Sequence, residues 1–217
     1  MEPQIVAARK MIRRAVDEYG PTAAACSFGK DSLVLVHLCL QEDPNFPLFA
    51  VTTPFKPKET IDYKGFLTSL WSLNVKTYKS DRPVSDTIYK TDPDECCKVF
   101  KVEPTKRAIK ELGLKSWISG VRRTEGITRT NFDFFEEYEG GITKVNPILD
   151  WTEVDIWRYI ARYNLPVNPL YFQGYRSLGC APCSKPYTEE ERGGRWSGTA
   201  KHGGECGIHS KMFKRKK

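Results

Sequence analysis

The chain has 217 residues, 40% of them apolar and 28% charged, an ordinary globular balance sized for one α/β domain with at most a short appendage. Its longest apolar run, Leu33 to Leu40, falls far short of the roughly 20 residues that span a bilayer, and the start, MEPQIVAARKMIRRAVDEYG, is polar and helical in pattern, unlike a signal peptide. Five of the seven net positive charges come from Lys211, Lys214, Arg215, Lys216 and Lys217 in the closing KMFKRKK, which reads as a solvated tail and not as a nucleic-acid surface.

Ile5 to Tyr19 has the spacing of an amphipathic helix. TAAACS reads as a short buried strand entering a turn at Phe28-Gly29, and helical spacing resumes from Lys30 to Cys39. PLFAVTT is a second strand. PKETIDYKGFLTSLWSLN is a helix opened by Pro57, VKTYK a third strand, Glu95 to Leu112 a helix stopped by Gly113, and SWISGV a fourth strand. This alternation predicts a parallel twisted sheet with covering helices. FDFFEEYEGGITKVNPIL then reads as a hairpin around Gly140-Gly141, and TEVDIWRYIARYN as a helix with Thr152 as N-cap. After Leu165 the chain is irregular and rich in Gly, Pro, Cys and Arg. The expected division is a body over 1–190 and a mobile C-terminal tail over 191–217.

CSFGKDS sits where the first strand meets the first covering helix. A loop there aims backbone N–H groups and a helix N-terminus at whatever lies above the sheet edge, which suits phosphate. Ser27, Gly29, Lys30, Asp31 and Ser32 are the candidate residues. The spacing differs from the longer Walker loop.

A cytoplasmic chain keeps its thiols reduced, so the seven cysteines are candidates for metal binding or catalysis. Cys96 and Cys97 are adjacent, and on a helix their side chains diverge by roughly 100°. Cys180 and Cys183 form a C-x-x-C knuckle, and Cys206 and His209 a C-x-x-H. Two sets compete for the knuckle. Cys180, Cys183, Cys206 and His209 make a zinc-ribbon-like site. Cys96, Cys97, Cys180 and Cys183 offer four thiolates suited to a [4Fe–4S] cluster.

CSFGKDS resembles the S-G-G-K-D-S loop of the adenine nucleotide alpha hydrolase-like (PP-loop) superfamily, with Phe28 in place of the second glycine. CCKVFKVEP resembles the C-C-x-x-R-K-x-x-P segment of iron–sulfur adenylyl-sulfate reductases, with Lys101 on the motif lysine and Phe100 in place of the arginine. YFQGYRSLGCAPCSKP is similar to that family's second cysteine segment, GVRRTEGITR and RGGRW to its two arginine segments, and ECGIH to its C-terminal E-C-G-L-H. VTTPFKPKET departs from the family's V-D-T-G-x-x-F-P-E-T, with Val51, Thr53, Glu59 and Thr60 fitting.

The resemblance implies reduction of adenylyl sulfate to sulfite and AMP, with Cys206 as nucleophile and a cysteine S-sulfonate intermediate. It implies a [4Fe–4S] cluster on Cys96, Cys97, Cys180 and Cys183. Lys101, Arg122, Arg123, Arg192 and Arg195 are then the candidate cations for the substrate's anions. The reductant is expected to be a separate protein, thioredoxin or glutaredoxin. The remaining alternatives are phosphoadenylyl sulfate as substrate, a tRNA-thiolating enzyme with the same loop, or a zinc-stabilised nucleotide-binding module. No sequence feature sets the oligomeric state, and a homo-oligomer is compatible with the pattern.

Overall fold

The computed structural model describes residues 1–85, 87–187, 189–196, 199–201 and 212–215. In chain order the main elements are α1 (Glu2–Tyr19), β1 (Thr22–Ala25), α2 (Lys30–Leu40), β2 (Leu48–Val51), α3 (Lys58–Leu70), β3 (Val75–Tyr78), α4 (Ile88–Thr91), α5 (Pro93–Cys97), α6 (Glu103–Glu111), β4 (Ser116–Ile118), β5 (Phe135–Tyr138), β6 (Ile142–Val145) and α7 (Glu153–Arg162). The strands form one sheet in the order β3-β2-β1-β4-β6-β5, parallel except for β5, which pairs antiparallel with β6. The β5–β6 hairpin turns through Gly140 and Gly141, both at positive φ.

Period-2 alternation assigns each strand residue to a face. Ala24, Leu48, Ala50 and Ile118 join the larger core, built from α1, α2, α3 and α7. Their neighbours Ala23, Phe49 and Trp117 face the opposite way and pack with Ala108 and Ile109 of α6. The sheet is therefore covered on both sides at its centre, as the apolar runs of β1 and β2 require. In α1, Ile5, Ala8, Ile12 and Ala15 recur at helical spacing and are buried. α7 opens with a capping box: Asp155 N–H donates to Thr152 Oγ1 at 3.1 Å, and Thr152 N–H to Asp155 Oδ2 at 2.9 Å. Such a cap contributes roughly 1 kcal/mol.

Two expectations need correction. The run from Glu95 to Leu112 is not one regular helix: a π-turn over Lys98–Val102 separates α5 from α6. Pro104 supplies the reason. It has no N–H to give the preceding turn, and its ring crowds the carbonyl four residues back, so the helix widens by a residue there. The C-terminal basic run is not wholly solvated. Met212 is buried, and the Phe213 ring lies 5.9 Å from Trp117 and 6.2 Å from Tyr138. Glu139 N–H donates to the Lys214 carbonyl at 3.0 Å, and Arg215 pairs with Asp133. The two apolar residues among the basic ones, and the open edge of β5, explain the docking.

Residues just past the expected boundary at 190 pack into the body. Glu191 pairs with Lys30 and Arg122, Ser184 and Arg195 form an isolated antiparallel bridge, and Trp196 is buried.

Candidate active site and cysteine cavity

β1 continues to β2 on one side, while β4 joins it on the other. Above the carboxyl ends of these strands the connections diverge and leave a crevice, where open α/β sheets bind ligands. A cleft lies there, with Ala25, Phe49, Val51 and Trp117 among its apolar walls. Gly120 helps to form it. A Cβ at this position would lie 3.2 Å from the Asp31 backbone, so only glycine lets the exit of β4 pass the first turn of α2 without displacement.

The loop from β1 to α2 borders the cleft through Ser27, Gly29, Asp31 and Ser32. Phe28 sits at φ 64°, a left-handed value costly for a bulky residue, and its buried ring meets Tyr63 edge-on at 6.5 Å. The glycine expected at this position would adopt that backbone without strain; here ring burial offsets it. Ser27 Oγ lies 3.2 Å from Ser32 Oγ, and Ser32 Oγ donates to the Gly29 carbonyl at 3.0 Å. The Lys30 backbone N–H donates to the Tyr171 hydroxyl at 2.7 Å. Burial raises the Tyr171 phenol, which keeps its proton. Burial likewise pushes the cleft-lining Cys26 thiol up to about 11, which disfavours it as an attacking thiolate.

Beside the cleft is a second cavity. Cys96, Cys97, Cys180 and Cys183 all line it, with Thr53, Phe55, Tyr89, Pro93, Phe100 and Lys101. Cys96 and Cys97 end α5; their divergence on the helix still leaves both facing one concave wall. The knuckle is pinned opposite them: Ala181 N–H donates to the Phe55 carbonyl at 2.8 Å, and Cys183 N–H to the Cys180 carbonyl at 2.9 Å. Cys180 Sγ lies 3.2 Å from Thr53 Oγ1. Burial pushes the Cys180 thiol up, but Lys101, Thr53, Lys56 and Arg195 together outweigh it and hold the thiol below its ordinary value.

Four thiols around one cavity suit either an iron–sulfur cluster or zinc. A zinc tetrahedron with Zn–S of about 2.3 Å would bring its sulfurs to about 3.8 Å of one another. Among the described residues, the one group of three metal-ligand side chains within 4.8 Å of each other is Asp31, Glu125 and Glu191; no three of the thiols are that close. The thiols are thus not gathered at the spacing of a zinc tetrahedron. The Trp196 indole, packed with Cys97, Cys180 and Cys183, has a buried N–H with no hydrogen-bond partner among the described residues. A sulfur acceptor in the cavity would satisfy it. The donor set and this orphaned N–H fit a [4Fe–4S] group.

Residues 21–186 match the family model described as the phosphoadenosine phosphosulfate reductase domain. The chain belongs to this reductase family. It is 36% identical over 214 residues to the adenosine 5'-phosphosulfate reductase of Lysinibacillus sphaericus (strain C3-41), covering 93% of this chain and 90% of that protein. The same figures hold for adenosine 5'-phosphosulfate reductase 1 of Bacillus subtilis (strain 168). Among solved structures, the phosphoadenylyl-sulfate reductase of Candida auris in a phosphate complex superimposes with a TM-score of 0.71 at 24% identity, covering 81% of this chain and 88% of that one. The U34-tRNA thiolase of Methanococcus maripaludis with its [4Fe-4S] cluster matches with a TM-score of 0.52 at 14% identity, covering 76% of this chain and 66% of that one. These two likenesses concern the fold.

In this member of the reductase family, Lys101, Arg192 and Arg195 line the cleft, and Lys101 also lines the cysteine cavity. Arg195 lies against the Gly179 backbone and donates to the Leu178 carbonyl at 2.8 Å; a Cβ at residue 179 would fall 2.4 Å from its guanidinium. The other expected cations lie off the cleft. Lys30 is 1% exposed and donates to Glu191 Oε1 at 2.6 Å and to the Arg176 carbonyl at 2.8 Å. Arg122 is 0% exposed and donates to Asp31 Oδ1 at 2.6 Å and to Glu191. Arg123 pairs with Asp150 and donates to the Phe132 carbonyl at 2.6 Å. Burial pushes the Asp31 carboxyl up, but Lys30 and Arg122 outweigh it and keep it below the usual carboxylate range.

Lys56, Arg129 and Tyr171 line the cleft without having been singled out from the sequence. Arg129 and Tyr171 stand inside motifs already quoted, GVRRTEGITR and YFQGYRSLGC, so the signal was present but did not separate them from their neighbours. Cys206 and His209 lie outside the described residues. No described helix is long and apolar enough to cross a membrane.

Proposed function

We propose that the chain reduces adenylyl sulfate to sulfite and AMP, as the names of its relatives indicate for those proteins. The observation that carries this reading is the position of Lys101, which borders both the four-thiol cavity and the nucleotide cleft. Chemistry at the anionic end of a nucleotide would thus take place beside the cavity.

Cys206 is the proposed nucleophile. Its thiolate attacks the sulfur of adenylyl sulfate and the S–O bond to the phosphate breaks. AMP leaves with the electron pair, and the sulfonyl group stays on Cys206 as an S-sulfonate. An external thiolate then attacks Cys206 Sγ and expels sulfite. The resulting mixed disulfide is resolved by the reductant's second thiol, which fits a thioredoxin or glutaredoxin. Lys101, Arg192 and Arg195 hold the sulfate and phosphate oxygens and stabilise the charge on departing AMP. Ser27, Gly29 and Ser32 present hydroxyl and backbone groups to the nucleotide, and Trp117 with Phe49 and Val51 offers an apolar wall to its base. Lys30 and Arg122 act one step back, holding Asp31 and Glu191. Cys96, Cys97, Cys180 and Cys183 would hold a [4Fe–4S] cluster, which would supply rigidity and an electrostatic influence at this end of the cleft.

The test is anaerobic purification followed by iron, sulfide and zinc analysis, then sulfite release from adenylyl sulfate with thioredoxin present. About four irons per chain and sulfite production are expected. Zinc alone with no sulfite would instead establish the nucleotide-binding module.

A further inference from the structure

Lys56 fills a position that the V-D-T-G-x-x-F-P-E-T pattern leaves open, yet it lines the cleft together with Lys101, Arg192 and Arg195. The backbone holds it there from both sides: its N–H donates to the Thr53 carbonyl at 3.2 Å, and Pro57 directly after it is the N-cap of α3. The side chain is partly buried, and Nζ reaches the Ser27 carbonyl at 3.4 Å. Among the described residues no carboxylate pairs with it. Burial pushes the ammonium down to about 8, with Lys101 and Arg195 adding to the effect and Cys180 opposing it. Cations thus bear on the cleft from the β2–α3 connection, from the turn between α5 and α6, and from the segment after Glu191. One cation of the reductase motif is absent. Residue 100, an arginine in C-C-x-x-R-K-x-x-P, is here Phe100, 2% exposed and edge-on to Phe55 at 6.0 Å.

Like charges held near one another without an acid are unfavourable until an anion arrives. Lys56 is therefore set for an anion that comes from outside the chain. We propose that Lys56 is a further catalytic residue, whose ammonium contacts the nucleotide phosphate and stabilises the charge that AMP gains on leaving. The phosphate of adenylyl sulfate carries one negative charge. When the thiolate attacks sulfur, the S–O bond breaks and its electron pair stays on the phosphate oxygen, which makes the phosphate of AMP a dianion. Lys56 keeps its protons throughout. Its attraction grows as the bond breaks, so it raises kcat more than it lowers KM. The inference rests on the reductase reading for its substrate, and on the place of Lys56 in the cleft for its residue.

Steady-state sulfite release from adenylyl sulfate with excess thioredoxin tests it on the anaerobically purified full chain, beside calorimetric titration with AMP and with adenosine. Lys56→Gln should lower kcat roughly tenfold, the scale of one hydrogen bond to a charged group, while KM changes by about threefold or less. AMP, which carries the dianion, should bind roughly tenfold more weakly to Lys56→Gln, and adenosine, which carries no phosphate, equally well. Lys56→Arg should keep most of kcat and of the AMP affinity. Unchanged kcat and AMP affinity in Lys56→Gln, with wild type active, would overturn the role of Lys56 and leave the reductase reading standing. Equal losses of AMP and adenosine affinity would make Lys56 a support of the cleft wall and overturn the phosphate contact. Wild type that releases no sulfite would count against the reductase reading itself and remove the catalytic role with it.

Discussion

Glu191 Oε1 lies 2.6 Å from Lys30 Nζ, a contact between residues 161 positions apart that ties the first turn of α2 to the segment carrying Arg192 and Arg195. Arg122 donates to the same carboxylate and to Asp31. Lys30 and Arg122, read from sequence as ligands for the substrate's anions, pair in the structure with Glu191. The arginines next to Glu191 take the open cleft instead.

Removing that anchor should cost binding and stability together. Glu191→Ala leaves Lys30 and Arg122 with one acid fewer in a nearly water-free setting, a loss of up to about 3 kcal/mol. Urea denaturation should register it, and kcat/KM for sulfite release should fall by tenfold or more as Arg192 and Arg195 lose their fixed approach. A Glu191→Ala protein with unaltered kcat/KM would refute the anchoring role.

The four thiols should be separable from the orphaned indole N–H. Cys97→Ser and Cys180→Ser should lose iron and activity together. Trp196→Phe keeps the apolar ring but removes the N–H, so iron should be retained while the rate of cluster loss in air rises. Full iron content in Cys180→Ser would contradict the ligand set.

Burial lowers Lys56 to about 8, with Lys101 and Arg195 acting in the same direction. A lysine at the cleft edge with this value is charged at pH 7 and largely neutral at pH 9. AMP affinity should therefore weaken as pH rises through about 8, and Lys56→Gln should flatten that profile. The stability effect has the opposite sense. The unfolded lysine titrates near about 10.4, so between about 8 and 10.4 the unfolded chain binds more protons, and the folding penalty of burying Lys56 is relieved as pH rises through that window. Calorimetric titration and chemical denaturation at pH 7, 8 and 9 would read the two effects separately.

Phe28 combines a left-handed backbone with a buried ring, and two substitutions divide these. Phe28→Ala removes the ring and keeps the strain, for a loss of about 3–5 kcal/mol. Phe28→Gly removes the ring and the strain, so it should be less destabilising than Phe28→Ala by about 1 kcal/mol. The same ordering reversed in urea denaturation would mean that the left-handed backbone is not under strain.

Cys206→Ser should keep its iron and bind AMP, since neither the proposed cluster nor the cleft uses this sulfur, yet release no sulfite. Wild type given adenylyl sulfate without reductant should gain the mass of one SO₃ group on the peptide containing GGECGIHSK. An adduct on Cys26 instead would reassign the nucleophile.

The strand and helix order was legible because apolar periodicity is a local property: Ala23 and Ala24, or Ile5 and Ala8, reveal their faces by spacing alone. Motif order likewise announced the loop that borders the cleft and the cysteine pairs that line one cavity. Spacing could not choose between two metal sets that share Cys180 and Cys183. The fold brings Cys96 and Cys97 to that knuckle by packing α5 against the loop at Phe55, a contact between distant parts of the chain. Nor could it say which cations face the cleft. A lysine beside a glycine turn looks the same whether it meets a phosphate or a carboxylate 161 residues away. Charge is written in the sequence, but its partner is chosen by burial and distance, which exist only once the sheet has formed.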